Sequence, residues 1–181
     1  MSEELDVLHA VTQRLDAAAI PYMVTGSIAM SYYAAPRMTR DIDFVVALES
    51  GDIDRVHALF REDFYIDRDA AERAIVEKSV FNLIHRTSIV KVDFVIRKTS
   101  EYRQLEFSRQ RRVTIGGQTV SMVTAEDLII SKLDWARESH SEMQLSDVRN
   151  LLASVPDLDH AYLREWTVRL GLSVLYREVG E

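Results

Sequence analysis

A chain of 181 residues, 47% hydrophobic with only three prolines, carries enough apolar material for one folded domain or a core with a helical appendage. No apolar run approaches the length of a membrane span, and the acidic start MSEELDVL lacks a signal-peptide pattern. The absence of cysteine excludes disulfides and thiolate metal sites and fits a cytoplasmic protein, and a net charge of −7 disfavours a general coat for nucleic acid.

Leu5, Leu8, Leu15 and Ala18-Ala19 recur at helical spacing, so residues 4–19 are expected to form an amphipathic helix that Pro21 ends. Tyr22–Thr25 reads as a short strand. Ser27 is placed to cap a helix over Ile28–Ala35, which Pro36 stops. A strand follows at Asp41–Ala47, then a helix ending at Phe60 and a short strand at Phe64–Ile66. Residues 69–78 read as helix. Ser79–His85 and Ile89–Ile96 alternate apolar and polar residues about Arg86-Thr87-Ser88, which predicts a hairpin. Residues 97–109 read as a polar segment. Arg112–Ile115 and Thr119–Val123 form a second hairpin around Gly116-Gly117. Thr124-Ala-Glu-Asp127 has the spacing of a capping box, and helices are expected at 125–138, 144–153 and 158–169. The fold class is therefore α+β: a mixed β-sheet core flanked by helices over 1–123, and a helical C-terminal region over 124–181 packed on it.

The stretch Tyr22–Leu48 concentrates the chemistry. A Gly26-Ser27 turn can bring backbone N–H groups close to a phosphate. Asp41 and Asp43, two apart on a strand, project from one face, and Asp93 alternates likewise with Lys91 and Val95. If the two strands are neighbours with their apolar faces together, three carboxylates converge. Such a cluster repels itself unless divalent cations sit within it, and oxygen donors without histidine or cysteine suit Mg²⁺ or Mn²⁺. The bland alternative is the polar face of a half-exposed sheet. From Arg97 to Arg112, six basic residues stand against Glu101 and Glu106, a segment that meets a phosphate backbone or is simply solvated. Arg40 can reach a phosphate or pair with a surface acid. The five histidines have no ligand spacing, and no P-loop or Gly-x-Ser-x-Gly motif is present.

Gly26-Ser27, thirteen residues, then Asp41-Ile42-Asp43-Phe44 resembles the signature of the DNA polymerase β-like nucleotidyltransferase superfamily, and Val92-Asp93-Phe94 resembles its third acidic strand. Thr124 to Arg137, with Ser146-Asp147-Val148, more loosely resembles the AbiEii-type branch, many of whose members are toxins of type IV toxin–antitoxin systems. The resemblance implies Asp41 and Asp43 as metal ligands, Asp93 as third ligand or base, and Gly26 and Ser27 as holders of the triphosphate. Lys132 matches a helix lysine that approaches the triphosphate, and Asp147 a later helix acid. The branch's Arg-x-x-Arg-Asp is absent here: the chain has Arg137-Glu-Ser-His and only Ser146 before Asp147. The implied activity is Mg²⁺-dependent transfer of a nucleoside monophosphate from a triphosphate such as ATP to a hydroxyl, with RNA or a tRNA end as acceptor and a cognate antitoxin as partner. Transfer to a small molecule or protein side chain, or a non-catalytic antitoxin-like binding protein of the same fold, are the alternatives.

Overall fold

Residues alternating in and out of an apolar layer build the centre of the sheet, and the same alternation sets the opposite face aside for polar groups. In the computed structural model, which describes residues 2–34 and 41–180, Ile42, Phe44 and Val46 of β2 (Asp41–Val46) are buried. So are Val92, Phe94 and Ile96 of β5 (Lys91–Ile96). β1 (Tyr22–Thr25) runs antiparallel to β2, and β5 runs parallel to β2 on its other side. β3 (Phe64–Ile66) and β4 (Val80–His85) extend the sheet beyond β5; β7 (Gln118–Met122) and β6 (Arg111–Ile115) extend it beyond β1. The order is β3-β4-β5-β2-β1-β7-β6. The two expected hairpins form as antiparallel pairs, β4 with β5 and β6 with β7.

On the apolar face, Phe94 makes edge-on ring contacts with Phe44 (5.7 Å), Phe60 (5.7 Å) and Phe81 (5.4 Å). Each such pair contributes about 0.5–1.5 kcal/mol beyond burial. Phe60 comes from α3 (Ile53–Phe60), whose Ile53 and Val56 lie on the same buried side. α1 (Glu3–Ala17) buries Val7, Leu8, Val11 and Leu15, and its Arg14 lies over the Phe60 and Phe64 rings. Ser2 caps it, accepting from the Leu5 N–H, with three acids in the first turn to complement the helix dipole. α4 (Arg68–Glu77) is capped by Asp67 and buries Ala71, Ala74 and Ile75.

After β7 come four helices: α6 (Ala125–Ser139), α7 (Glu142–Ser154), α8 (His160–Arg169) and α9 (Ser173–Gly180). The spacing read at Thr124 is realised: its hydroxyl accepts the Asp127 N–H at 3.2 Å. Asp127 itself is fully buried and faces four donors. Tyr102 and Tyr162 hydroxyls reach Oδ1 at 3.1 and 2.6 Å, and Arg109 Nε and Thr124 Oγ1 reach Oδ2 at 2.9 and 2.7 Å.

Three expectations require correction. The polar segment 97–109 contains a helix, α5 (Glu101–Ser108), which buries Tyr102, Glu106 and Phe107. Its buried side includes a glutamate held by Arg103 and Ser131, so no apolar period announces it. Ser27 is not a cap. α2 (Gly26–Tyr33) already begins at Gly26, and the Ser27 hydroxyl donates to the Asp41 carbonyl at 2.9 Å. Finally, α2 ends at Tyr33 rather than Ala35; Pro36, the expected stop, and Arg40 lie outside the described residues.

Candidate active site

The register of the central strands decides the site. Thr25 of β1, Asp43 of β2, Asp93 of β5 and Asn82 of β4 are direct cross-strand partners and form one row across the sheet. Asp41, two residues before Asp43, pairs with Lys91, two before Asp93. All these side chains stand on the face opposite the phenylalanine cluster, because alternate residues point to opposite faces. The parallel β2–β5 pairing thus puts Asp41, Asp43 and Asp93 on one face of the sheet, as expected from the sequence.

Gly26 completes the site. Its φ is +58°, and a Cβ there would lie 2.6 Å from Asp43 Cγ. Only glycine suits both the left-handed backbone and the close approach. Gly26→Ala is expected to cost about 1–3 kcal/mol of stability from backbone strain alone and to displace the Asp43 carboxylate. Thermal melting and activity of the variant check this; an unchanged melting temperature would contradict it.

The electrostatics mark Asp43 as the strained member. Burial, and next the like charge of Asp93, push its carboxyl above the ordinary aspartate range, and Asp41 adds to this. The Ser27 backbone N–H and Lys91 act the other way. Lys91 Nζ lies 3.1 Å from Asp93 Oδ2 and 3.5 Å from Asp41 Oδ2, and its hydrogen bond to Asp93 raises the ammonium's pKa. Asn82 Nδ2 donates to Asp93 Oδ1. Asn82 and the bridging role of Lys91 were not anticipated. The available signal was the exposed alternation of Val80, Asn82 and Ile84, which places an amide on the acidic face.

Among the described residues, no three histidine, cysteine or acidic side chains are gathered tightly enough to hold a metal ion. The donor set nevertheless fits a hard divalent cation. It consists of the carboxylate oxygens of Asp41, Asp43 and Asp93 on one face of the sheet, the hard oxygen donors that such an ion takes. The remaining sequence candidates sit as follows. The hydroxyl and N–H of Ser27 are engaged by β2, on the Asp41 carbonyl and the Asp43 carboxylate. Lys132 is buried in a pair with Asp147 at 2.6 Å and also donates to Gln144 at 3.1 Å, so it joins α6 to α7. Arg137 pairs with Asp134 and donates to the Leu170 carbonyl. Tyr33 donates to the Val123 carbonyl, tying α2 to the end of β7.

Beside the acids lies a cavity of about 420 Å³. Thr25, Val45 and Val95 floor it; Ser131, Asp134 and the exposed Trp135 of α6 wall one side, with Arg97 and Lys98 at its margin. Val45 and Val95 follow Asp43 and Asp93 by two residues, so cavity and carboxylates share one face. Much of the basic segment 97–112 is consumed internally: Arg103 pairs with Glu106 and Asp134, Arg109 with Asp127, and Arg97 lies over Phe107.

No protein-family model matches the sequence, and no curated protein matches it significantly. Solved structures do resemble it. The solution structure of the antibiotic-resistance factor ANT(2'')-Ia superposes with a TM-score of 0.61 at 14% identity, covering 96% of this chain and 90% of that one. The same factor in complex with adenylyl-2''-tobramycin gives 0.57 at 12% identity, over 98% and 97% of the two chains. The lincosamide antibiotic adenylyltransferase LnuA, with lincomycin bound, gives 0.56 at 11% identity, over 86% and 98%. At such identities the likeness is one of architecture, and by that measure the chain has a nucleotidyltransferase-like α+β fold.

Proposed function

We propose that the chain is a nucleotidyltransferase that moves a nucleoside monophosphate from a triphosphate, ATP among the candidates, to a hydroxyl acceptor. The observation that carries this is the in-register Asp43–Asp93 pair, with Asp41 beside it and Gly26 closing on Asp43. Asp41, Asp43 and Asp93 would hold Mg²⁺ or Mn²⁺, which when bound supplies positive charge to the phosphates and favours ionisation of the attacking hydroxyl. The acceptor oxygen bonds to the α-phosphorus, the bond to the β-phosphate oxygen breaks, and pyrophosphate leaves. Asp93, which accepts from Asn82, would serve as the third ligand or as the base for the hydroxyl proton. Gly26 and Ser27 are assigned to the triphosphate, with Arg40 and Lys132 as its cations; Ser27 reaches it only by releasing the Asp41 carbonyl or the Asp43 carboxylate, and Lys132 only by leaving Asp147. In this reading residues 1–123 form the catalytic core, 124–181 the helical region that covers it, and the protein works in the cytoplasm.

The cavity size and the internally paired basic segment favour a small hydroxylated acceptor over an extended RNA surface. ANT(2'')-Ia and LnuA, whose structures contain adenylyl-tobramycin and lincomycin, support the same class. The AbiEii-like helix residues support the second reading, an RNA or tRNA acceptor with a cognate antitoxin. Incubation with α-labelled triphosphates and Mg²⁺ against a panel of aminoglycosides, lincosamides and total RNA separates the two. Label on a small molecule is the expected result. Label on RNA alone would replace the preferred acceptor with the second, and no labelled product with any nucleotide would overturn both.

A further inference from the structure

Lys91 stands inside the acidic cluster. Its Cα is the cross-strand partner of Asp41, and its ammonium touches Asp41 and Asp93 at 3.5 and 3.1 Å. Those are two of the three carboxylates assigned to a divalent ion. A divalent ion held by Asp41 and Asp93 would need their carboxylate oxygens, at about 2.0–2.1 Å for Mg²⁺, and the ammonium already approaches one oxygen of each. Two cations cannot share them without strong repulsion at so short a range. The lysine is not locked in place: its side chain is 38% exposed and its four-carbon stem is flexible. Its exposed cross-strand neighbour on β4, Ile84, leaves an open side toward which the head group can swing.

We propose that Lys91 is a built-in counter-cation that competes with a divalent ion for Asp41 and Asp93, so that metal binding proceeds by displacement of its ammonium from the cluster. The inference rests on the nucleotidyltransferase reading of the three acids. The ammonium lies against two of the three carboxylates and compensates part of their charge. An ordinary surface ion pair contributes little and has no bearing on metal affinity.

The two descriptions separate in metal binding without nucleotide. Titration of the whole chain with Mn²⁺, followed by electron paramagnetic resonance of the free ion, is compared for wild type and Lys91→Met, which keeps the stem and removes the charge. The expected result is tighter binding by the variant, about tenfold, and a larger rise in melting temperature on adding Mn²⁺. Lys91→Gln gives the same comparison where the methionine variant does not fold. Equal or weaker binding by the variants would overturn the role of Lys91 while leaving the metal-dependent reading in place. Failure of wild type and variants alike to bind Mn²⁺ would overturn both.

Discussion

Asp43→Asn is expected to abolish nucleotidyl transfer while leaving the fold intact. Asp43 is central in the row of Thr25, Asp43, Asp93 and Asn82, and Gly26 presses against its carboxylate. The amide keeps the shape but removes a charged metal ligand, so a rate loss of at least about 10³-fold, roughly 4 kcal/mol in transition-state stabilisation, is predicted. Stability should move the other way. Burial and the negative charges of Asp93 and Asp41 raise the Asp43 pKa in the folded protein. The folded state therefore holds that proton more tightly than the unfolded chain, and metal-free wild type loses stability as pH climbs from the ordinary aspartate range through the raised value. The Asn variant lacks this loss. Its melting temperature in chelator should equal or exceed the wild type's at neutral pH, with the gap closing in acid; a variant that melts well below wild type at neutral pH would contradict this account of Asp43.

The second large effect concerns architecture. Asp127 is fully buried and accepts from Tyr102 of α5, Arg109 at the end of α5, Thr124 before α6 and Tyr162 of α8. The Arg109 guanidinium also lies 3.9 Å from the centre of the Tyr162 ring. Replacing Asp127 with alanine leaves a cation and three hydroxyls facing a void. The expected cost is about 3–5 kcal/mol, because the change removes four hydrogen bonds and leaves the buried Tyr102 and Thr124 hydroxyls without their acceptor. For a chain of this size that corresponds to a melting temperature lower by about 6–20 °C. Thermal denaturation of Asp127→Ala and Asp127→Asn measures it: the amide, which retains hydrogen-bonding capacity, should lose less. Equal losses would contradict this and show that the carboxylate's charge, not its hydrogen-bonding capacity, is what the four donors are arranged around.

The core of the site was legible because strand alternation is a period-two signal. Ile42-Asp43-Phe44 and Val92-Asp93-Phe94 each place an acid between buried residues, and once the apolar faces are matched the acids must share the other face. The glycine before α2 was legible because its spacing to the acids fits a single helix. What could not be read was the lateral order of the strands, and hence that Asp43 faces Asp93 directly while Asn82 lies beyond it. That order comes from long-range pairing, which leaves no local pattern. α5 escaped for a different reason. Arg103, Glu106 and Arg109 look like solvent-facing charges, yet each is spent on a partner in or next to α6. Lys132 shows the same limit: its mostly apolar helix was evident, but its buried partner Asp147 lies on a separate helix, α7.

The most direct measurement of the central claim uses two preparations of the same triphosphate, one labelled in the α-phosphate and one in the γ-phosphate, with Mg²⁺ and the acceptor that the panel identifies. Nucleotidyl transfer predicts that the acceptor gains only the α label, that the γ label appears in pyrophosphate, and that Asp43→Asn shows neither. Appearance of the γ label on the acceptor, or equal α labelling by the Asp43 variant, would contradict the account.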